Sequence, residues 1–204
     1  MDNAVQTKLE KMKKVRKILL IVSVILSVAA FVTLILFNFM PVFNLTLKGS
    51  DKFGNGFDYP GWQAIYYGIG IQYIPGYYEF GFDIWTTLGM FVPLLAIIVC
   101  YVIYRKGKNR HKAICEYVMG ASLIFGGVIL LFCGEFAINV ASSAGMAAFD
   151  KTYLYPAIAA GTFRLLAYPI ITCAVCVLAG IFKIINGSFL LHQRSYGMKN
   201  AGRA

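Results

Sequence analysis

The chain is 204 residues long, 59% hydrophobic and only 14% charged, with a mean hydropathy of +0.68. That balance lies well to the apolar side of soluble domains and excludes a soluble globular enzyme. Nineteen Lys and Arg against nine Asp and Glu give a formal charge of +10, and the placement of those charges carries more information than their sum.

The first apolar run, Ile18 to Phe37, is rich enough in Ile, Leu, Val and Phe to insert into a bilayer with a gain of roughly 5 to 8 kcal/mol. A cleaved signal peptide ending at Ser27-Val28-Ala29 is the rival reading. It would leave Phe31 to Phe37 as an apolar stub, so an uncleaved span is preferred. The segment 38–83 follows, with thirteen aromatic residues and eight glycines between Phe43 and Trp85. Phe43 to Lys48 alternates as a strand does, Asn55-Gly56 is hairpin-turn chemistry, and Trp62 to Ile74 and Tyr77 to Phe82 supply further strand-like stretches. A small antiparallel sheet of three or four strands is expected there, too small to hold a core without resting on the helix ends. A re-entrant loop over the uncharged stretch Tyr59 to Tyr78 is the alternative.

A second span is expected over 84–104, with Pro93 near its middle. A third is expected over 113–140 and a fourth over 156–185, the latter kinked at Pro169. Basic residues cluster before the first span, between the second and third (Arg105, Lys106, Lys108, Arg110, Lys112), and at the carboxyl end (Lys183, Arg194, Lys199, Arg203). Positively charged loops stay in the cytoplasm, so both termini are placed inside and 38–83 outside. The fold class is an all-α membrane protein, a four-transmembrane-helix bundle with a small extracellular antiparallel β-sheet, in one integral membrane domain over 1–204. The layout resembles that of claudin-type tetraspan proteins. Their Trp, Gly-Leu-Trp and two-cysteine signature is absent, because Trp62 is followed by Gln63-Ala64-Ile65.

Ala113, Gly120, Gly127, Gly134 and Ala141 recur every seven residues, which lays small side chains along one seam. Ala160, Ala167 and Ala174 are expected to answer from the fourth helix. Glu135 and Arg164, at expected depths of about 7 and 12 Å, are expected to form an intramembrane ion pair. Its leading reading is a lock between helices, and a proton or anion site is the alternative. All five cysteines fall within the expected spans, where they serve as small apolar residues. The Cys173/Cys176 pair lies too deep in its helix to act as a membrane thiol oxidoreductase centre.

Neither His111 nor His192 belongs to a metal-ligand pattern, and Gly68-Ile69-Gly70 lacks the rest of a phosphate loop. No enzyme activity, metal, cofactor or nucleic-acid partner is expected. The expected function is protein-protein association, with a partner or with itself, through Trp62, Tyr66, Tyr67, Tyr73, Tyr77 and Tyr78. The setting is the plasma membrane, with anionic headgroups against the cytoplasmic face. A channel or transporter subunit with a polar path is the alternative, and thiol redox a distant one. A cysteine label at Asn109 or Ser195 should be protected from an impermeant reagent in intact cells and one at Asn55 should react; labelling of Asn109 from outside would reverse the topology.

Overall fold

The computed structural model describes residues 3–46, 57–62, 83–106, 109–134, 136 and 162–201. They form α1 (Asn3–Phe37), β1 (Pro41–Thr46), β2 (Phe57–Pro60), α2 (Ile84–Lys106), α3 (Asn109–Leu131), β3 (Thr162–Leu165) and α4 (Ala167–Ala201). Within the four helices, Glu10–Phe37, Ile84–Arg105, His111–Leu131 and Ala167–His192 are each long and apolar enough to cross a bilayer. At 1.5 Å per residue they exceed or match a hydrocarbon core of about 30 Å. This is the architecture of a multi-pass membrane protein.

α3 starts at Asn109 rather than 113 and α4 ends at Ala201 rather than 185, and two other helix starts differ from the sequence expectation for local reasons. Helix α1 starts at Asn3 rather than Ile18, because the intervening segment contains neither Gly nor Pro and is rich in Lys and other good helix formers. The last helix starts at Ala167, and residues 162–165, expected to be helical, form β3 instead. Pro169 therefore stands in the first turn of α4, where a proline interrupts no hydrogen bond, and not at a mid-helix kink. At the start of α2, Asp83 is the cap. Its Oδ1 accepts the backbone N–H groups of Trp85 (2.9 Å) and Thr86 (3.3 Å), and its Oδ2 accepts the Thr86 hydroxyl.

The helices pack antiparallel to their neighbours, with α3 and α4 forming the most extensive contact, α2 against the far side of α3 and α1 against the far side of α4. Glycine sets two of these contacts. A Cβ on Gly120 would come within 2.8 Å of the Gly180 carbonyl oxygen, and one on Gly180 within 2.6 Å of the Gly120 oxygen, so the two backbones touch. Gly127 leaves room for Cys176, and Gly126 for the Pro93 ring of α2. Ala113, Gly120, Gly127 and Gly134 are all buried. On α4, however, Ala167 and Ala174 are exposed, and Cys173, Gly180 and Gly187 meet α3. The seven-residue period is present one position earlier than expected, a rotation of about 100° around the helix. Ala141 and Ala160 lie outside the described residues.

The sheet has the order β2-β1-β3, with both pairings antiparallel. Two of its strands come from the segment between α1 and α2, as expected, while the third comes from the segment before α4. Phe43 faces Tyr59 on one side and Leu165 on the other. An irregularity between Pro41 and Phe43 lets Val42 and Phe43 both turn inward, and both are fully buried. The Phe43 and Tyr59 rings stack at 5.0 Å, and burial pushes the Tyr59 phenol up to about 12. On the opposite face, Asn44 pairs with Asp58 and Arg164 in register, and the Asn44 amide donates to Asp58 Oδ1 at 2.7 Å.

The chain leaving β2 is fastened to the end of α1. Gly61 N–H donates to the Met40 carbonyl (3.2 Å) and Trp62 N–H to the Asn38 carbonyl (3.0 Å). A Cβ at Gly61 would collide with the Phe37 carbonyl oxygen and lie 2.6 Å from the Phe37 ring. Gly61→Ala should lower stability by about 1 to 3 kcal/mol, read as an earlier unfolding transition in detergent; an unchanged transition would show that this fastening carries no load.

Candidate functional site

A charge centre lies between α3 and α4. Lys183 Nζ stands 3.2 Å from Glu116 Oε2, with side chains 6% and 1% exposed. The side chain of Asn186, one turn further along α4 and fully buried, lies against the same carboxylate without closing a hydrogen bond of ordinary geometry. Local geometry explains how two helices accommodate it. Gly187 follows Asn186 on the seam, and a Cβ there would be 3.2 Å from Glu116 Cβ, so glycine at this position eases the close approach of α4 to the carboxylate. Ions held this deep are tolerated when paired, and the loss of one partner orphans the other.

Further polar groups are buried on neighbouring helices. Ser27 of α1 donates to the Ser23 carbonyl at 2.7 Å, while the Ser23 hydroxyl and, on α4, the Thr172 hydroxyl have no partner among the described residues. Asn186 begins an Asn-Gly-Ser sequence of the glycosylation type; complete burial removes it from consideration as an acceptor.

Of the intramembrane pair expected from the sequence, only Arg164 is described, and it does not stand in a helix. Arg164 stands on β3 opposite Asn44, exposed on the outer face of the sheet, and Glu135 lies outside the described residues. The physical reason is the strand: Thr162–Leu165 completes the sheet beside β1, so Arg164 never enters a helix. Lys183, expected in a basic carboxyl-terminal tail, is a buried member of α4. Glu116 carries no role in the sequence reading. The missed signal was available, since both residues fall inside the expected third and fourth spans, about three and two residues from their basic ends.

Of the expected association residues, Trp62 is described and exposed, while Tyr66, Tyr67, Tyr73, Tyr77 and Tyr78 lie outside the described residues. Trp62 has company at that end of the bundle. Phe39 is 70% and Trp85 51% exposed, and Asn38 reaches Met90 of α2, which brings the ends of α1 and α2 together. Cys100 and Cys115 face each other between α2 and α3, both buried, and Cys176 is buried while Cys173 is partly exposed. Among the described residues, no group of three metal-ligating side chains occurs.

Compared with models of known protein families, with curated proteins and with solved structures, the chain matches none.

The centre at Glu116 and Lys183 makes a measurable demand. Glu116→Leu or Lys183→Met alone should each cost about 3 to 5 kcal/mol, and the double substitution should recover most of that loss. A double-mutant cycle on unfolding in detergent reads the coupling, and additive losses would deny it. Arg164→Gln, on the exposed face of the sheet, should stay within about 0.5 kcal/mol of wild type in the same assay.

Proposed function

We propose that the protein is a non-enzymatic four-span protein of the plasma membrane that works by association through its sheet-bearing end, with a partner protein or another copy of itself. The observation that carries this reading is the construction of that end. The three strands are drawn from two separate segments of the chain and fastened to α1 at Gly61 and Trp62. The Tyr168 hydroxyl of α4 donates to the Thr33 carbonyl at 3.2 Å and ties the neighbouring helix to the same end. A platform held this way presents Phe39, Trp62 and Trp85 at little entropic cost, and large rigid aromatics are the side chains that dominate protein contacts. Most basic residues fall at the other ends of the four helices, which favours a cytoplasmic location for both termini and an extracellular one for the sheet.

A second reading is favoured by the Glu116, Lys183 and Asn186 centre, since ionisable groups within a membrane mark ion and proton paths. In that case the bundle belongs to a transporter or channel. The anionic headgroups of the cytoplasmic leaflet are partners under either reading.

The two separate experimentally. A photoreactive amino acid at position 62 in intact cells should give a discrete protein adduct, and Phe39→Ala should reduce that adduct about tenfold, as loss of a contact hot spot does. Adducts with lipid alone would reject association. Proteoliposome proton flux that disappears in Glu116→Gln would instead establish the transport reading.

A further inference from the structure

The four helices do not close a ring. α1 lies against α4 and α2 against α3, while α1 and α2 touch little, and between them runs a cleft of about 340 Å³. Val24, Val28 and Phe31 form one wall, and Ile98, Tyr101 and Val102 the other. Lys183 reaches the floor from α4, with its ammonium turned to Glu116, so the lining is almost wholly apolar. The volume is within the range of about 300 to 1,000 Å³ typical of small-molecule sites. It opens between two helices long and apolar enough to span a bilayer, which places its mouth against acyl chains.

The cleft walls continue into basic residues at the end away from the sheet. On α1, Lys17 lies seven residues before Val24 and Lys13 eleven before it, about two and three turns, so both share the face that lines the cleft. Both are exposed. On α2, Arg105 lies one turn beyond Tyr101, and its guanidinium stands 5.7 Å from the centre of the Tyr101 ring. Lys17 immediately precedes the apolar run of α1, and Arg105 ends the apolar span of α2. Both are therefore at headgroup depth. From Lys17 to Phe31 is about 21 Å along the helix, a little more than one leaflet of about 15 Å.

We propose that this cleft is a binding site for an anionic phospholipid, with an acyl chain between α1 and α2 and the phosphate between Lys17 and Arg105. An apolar slot would take a chain from any lipid; the cation at the end of each wall selects the anionic ones. Snorkelling basic side chains around a membrane protein attract anionic lipid diffusely. Here one stands at the end of each wall of the same slot, and together they hold a single molecule. The inference rests on the four spans alone and is independent of association at the sheet-bearing end.

The test uses the full chain reconstituted in nanodiscs of equimolar phosphatidylcholine and phosphatidylglycerol, then transferred to detergent and weighed by native mass spectrometry. One phosphatidylglycerol per chain should be retained in preference to phosphatidylcholine. Lys17→Gln combined with Arg105→Gln should reduce that retention about 30-fold, or about 2 kcal/mol at 1.4 kcal/mol per tenfold. Lys11→Gln, on the opposite side of α1, should leave it unchanged. Val28→Trp fills the slot while keeping both cations and should remove phosphatidylglycerol; the unfolding transition of each variant in the same detergent reports whether the bundle is intact. Equal retention of the two lipids by the wild-type chain overturns the proposal. So does phosphatidylglycerol retention that survives the double charge substitution, or a chain dimer that Val28→Trp dissociates.

Discussion

Contact between the α3 and α4 backbones at Gly120 and Gly180 is the constraint on which the rest of the bundle depends. In a bilayer the apolar surfaces of two helices gain little from leaving lipid, so association rests on close packing and on internal polar contacts. Glycine supplies the first by removing the side chains that would hold the backbones apart. It also makes the second possible: with α4 this close, Lys183 reaches Glu116 at 3.2 Å, and Gly187 lets the seam continue past the carboxylate. The ion pair is a consequence of the seam as much as a cause of it. A side chain at Gly180 would displace α4 and lengthen the contact that makes both charges tolerable.

The same seam explains the asymmetry of the bundle. α3 is packed on both sides, because Gly89 and Gly126 repeat the close approach on its α2 side, whereas α1, which contains no glycine, buries Ser23, Ser27, Ala30, Leu34 and Phe37 and is tied to α4 by the Tyr168 contact near the sheet. Towards the sheet, α1 is fastened by Gly61 and Trp62. Away from it, no glycine seam draws α1 towards α2, and Ser27, Val28 and Phe31 face open space in the cleft. Tight packing at one pair of helices and slack at another follow from where the glycines lie.

Much of this was legible in the sequence, and the remainder was hidden for identifiable reasons. Composition and run length suffice for four spans, because the bilayer imposes a length that few soluble helices share. The small-residue period on α3 is readable since Gly120, Gly127 and Gly134 all fall in one phase. On α4 alanine misled: Ala167 and Ala174 have the right period, yet alanine is at home facing lipid as well as at a seam, and only glycine allows backbone contact. Strand β3 was hidden because Thr162-Phe163-Arg164-Leu165 is short and apolar enough to pass for the start of a helix. Its partner β1 lies more than a hundred residues earlier, and no local pattern reveals such a pairing. The charge centre was missed because Lys183 was counted with a basic tail and Glu116 with a span, when the sign and depth of both needed to be weighed together.

Depth also separates what the two kinds of basic residue do. Lys183 is buried beside a carboxylate that offsets its charge where it stands, and it contributes to the fold. Lys17, just before the apolar run of α1, and Arg105, at the end of the apolar span of α2, are both exposed. Their field extends into the mouth of the cleft, where the Tyr101 ring face further holds the guanidinium in place. A cation deep in the bundle therefore fixes helices, and a cation at the interface fixes what lies against them. The single turn between Tyr101 and Arg105 is the step from one regime to the other.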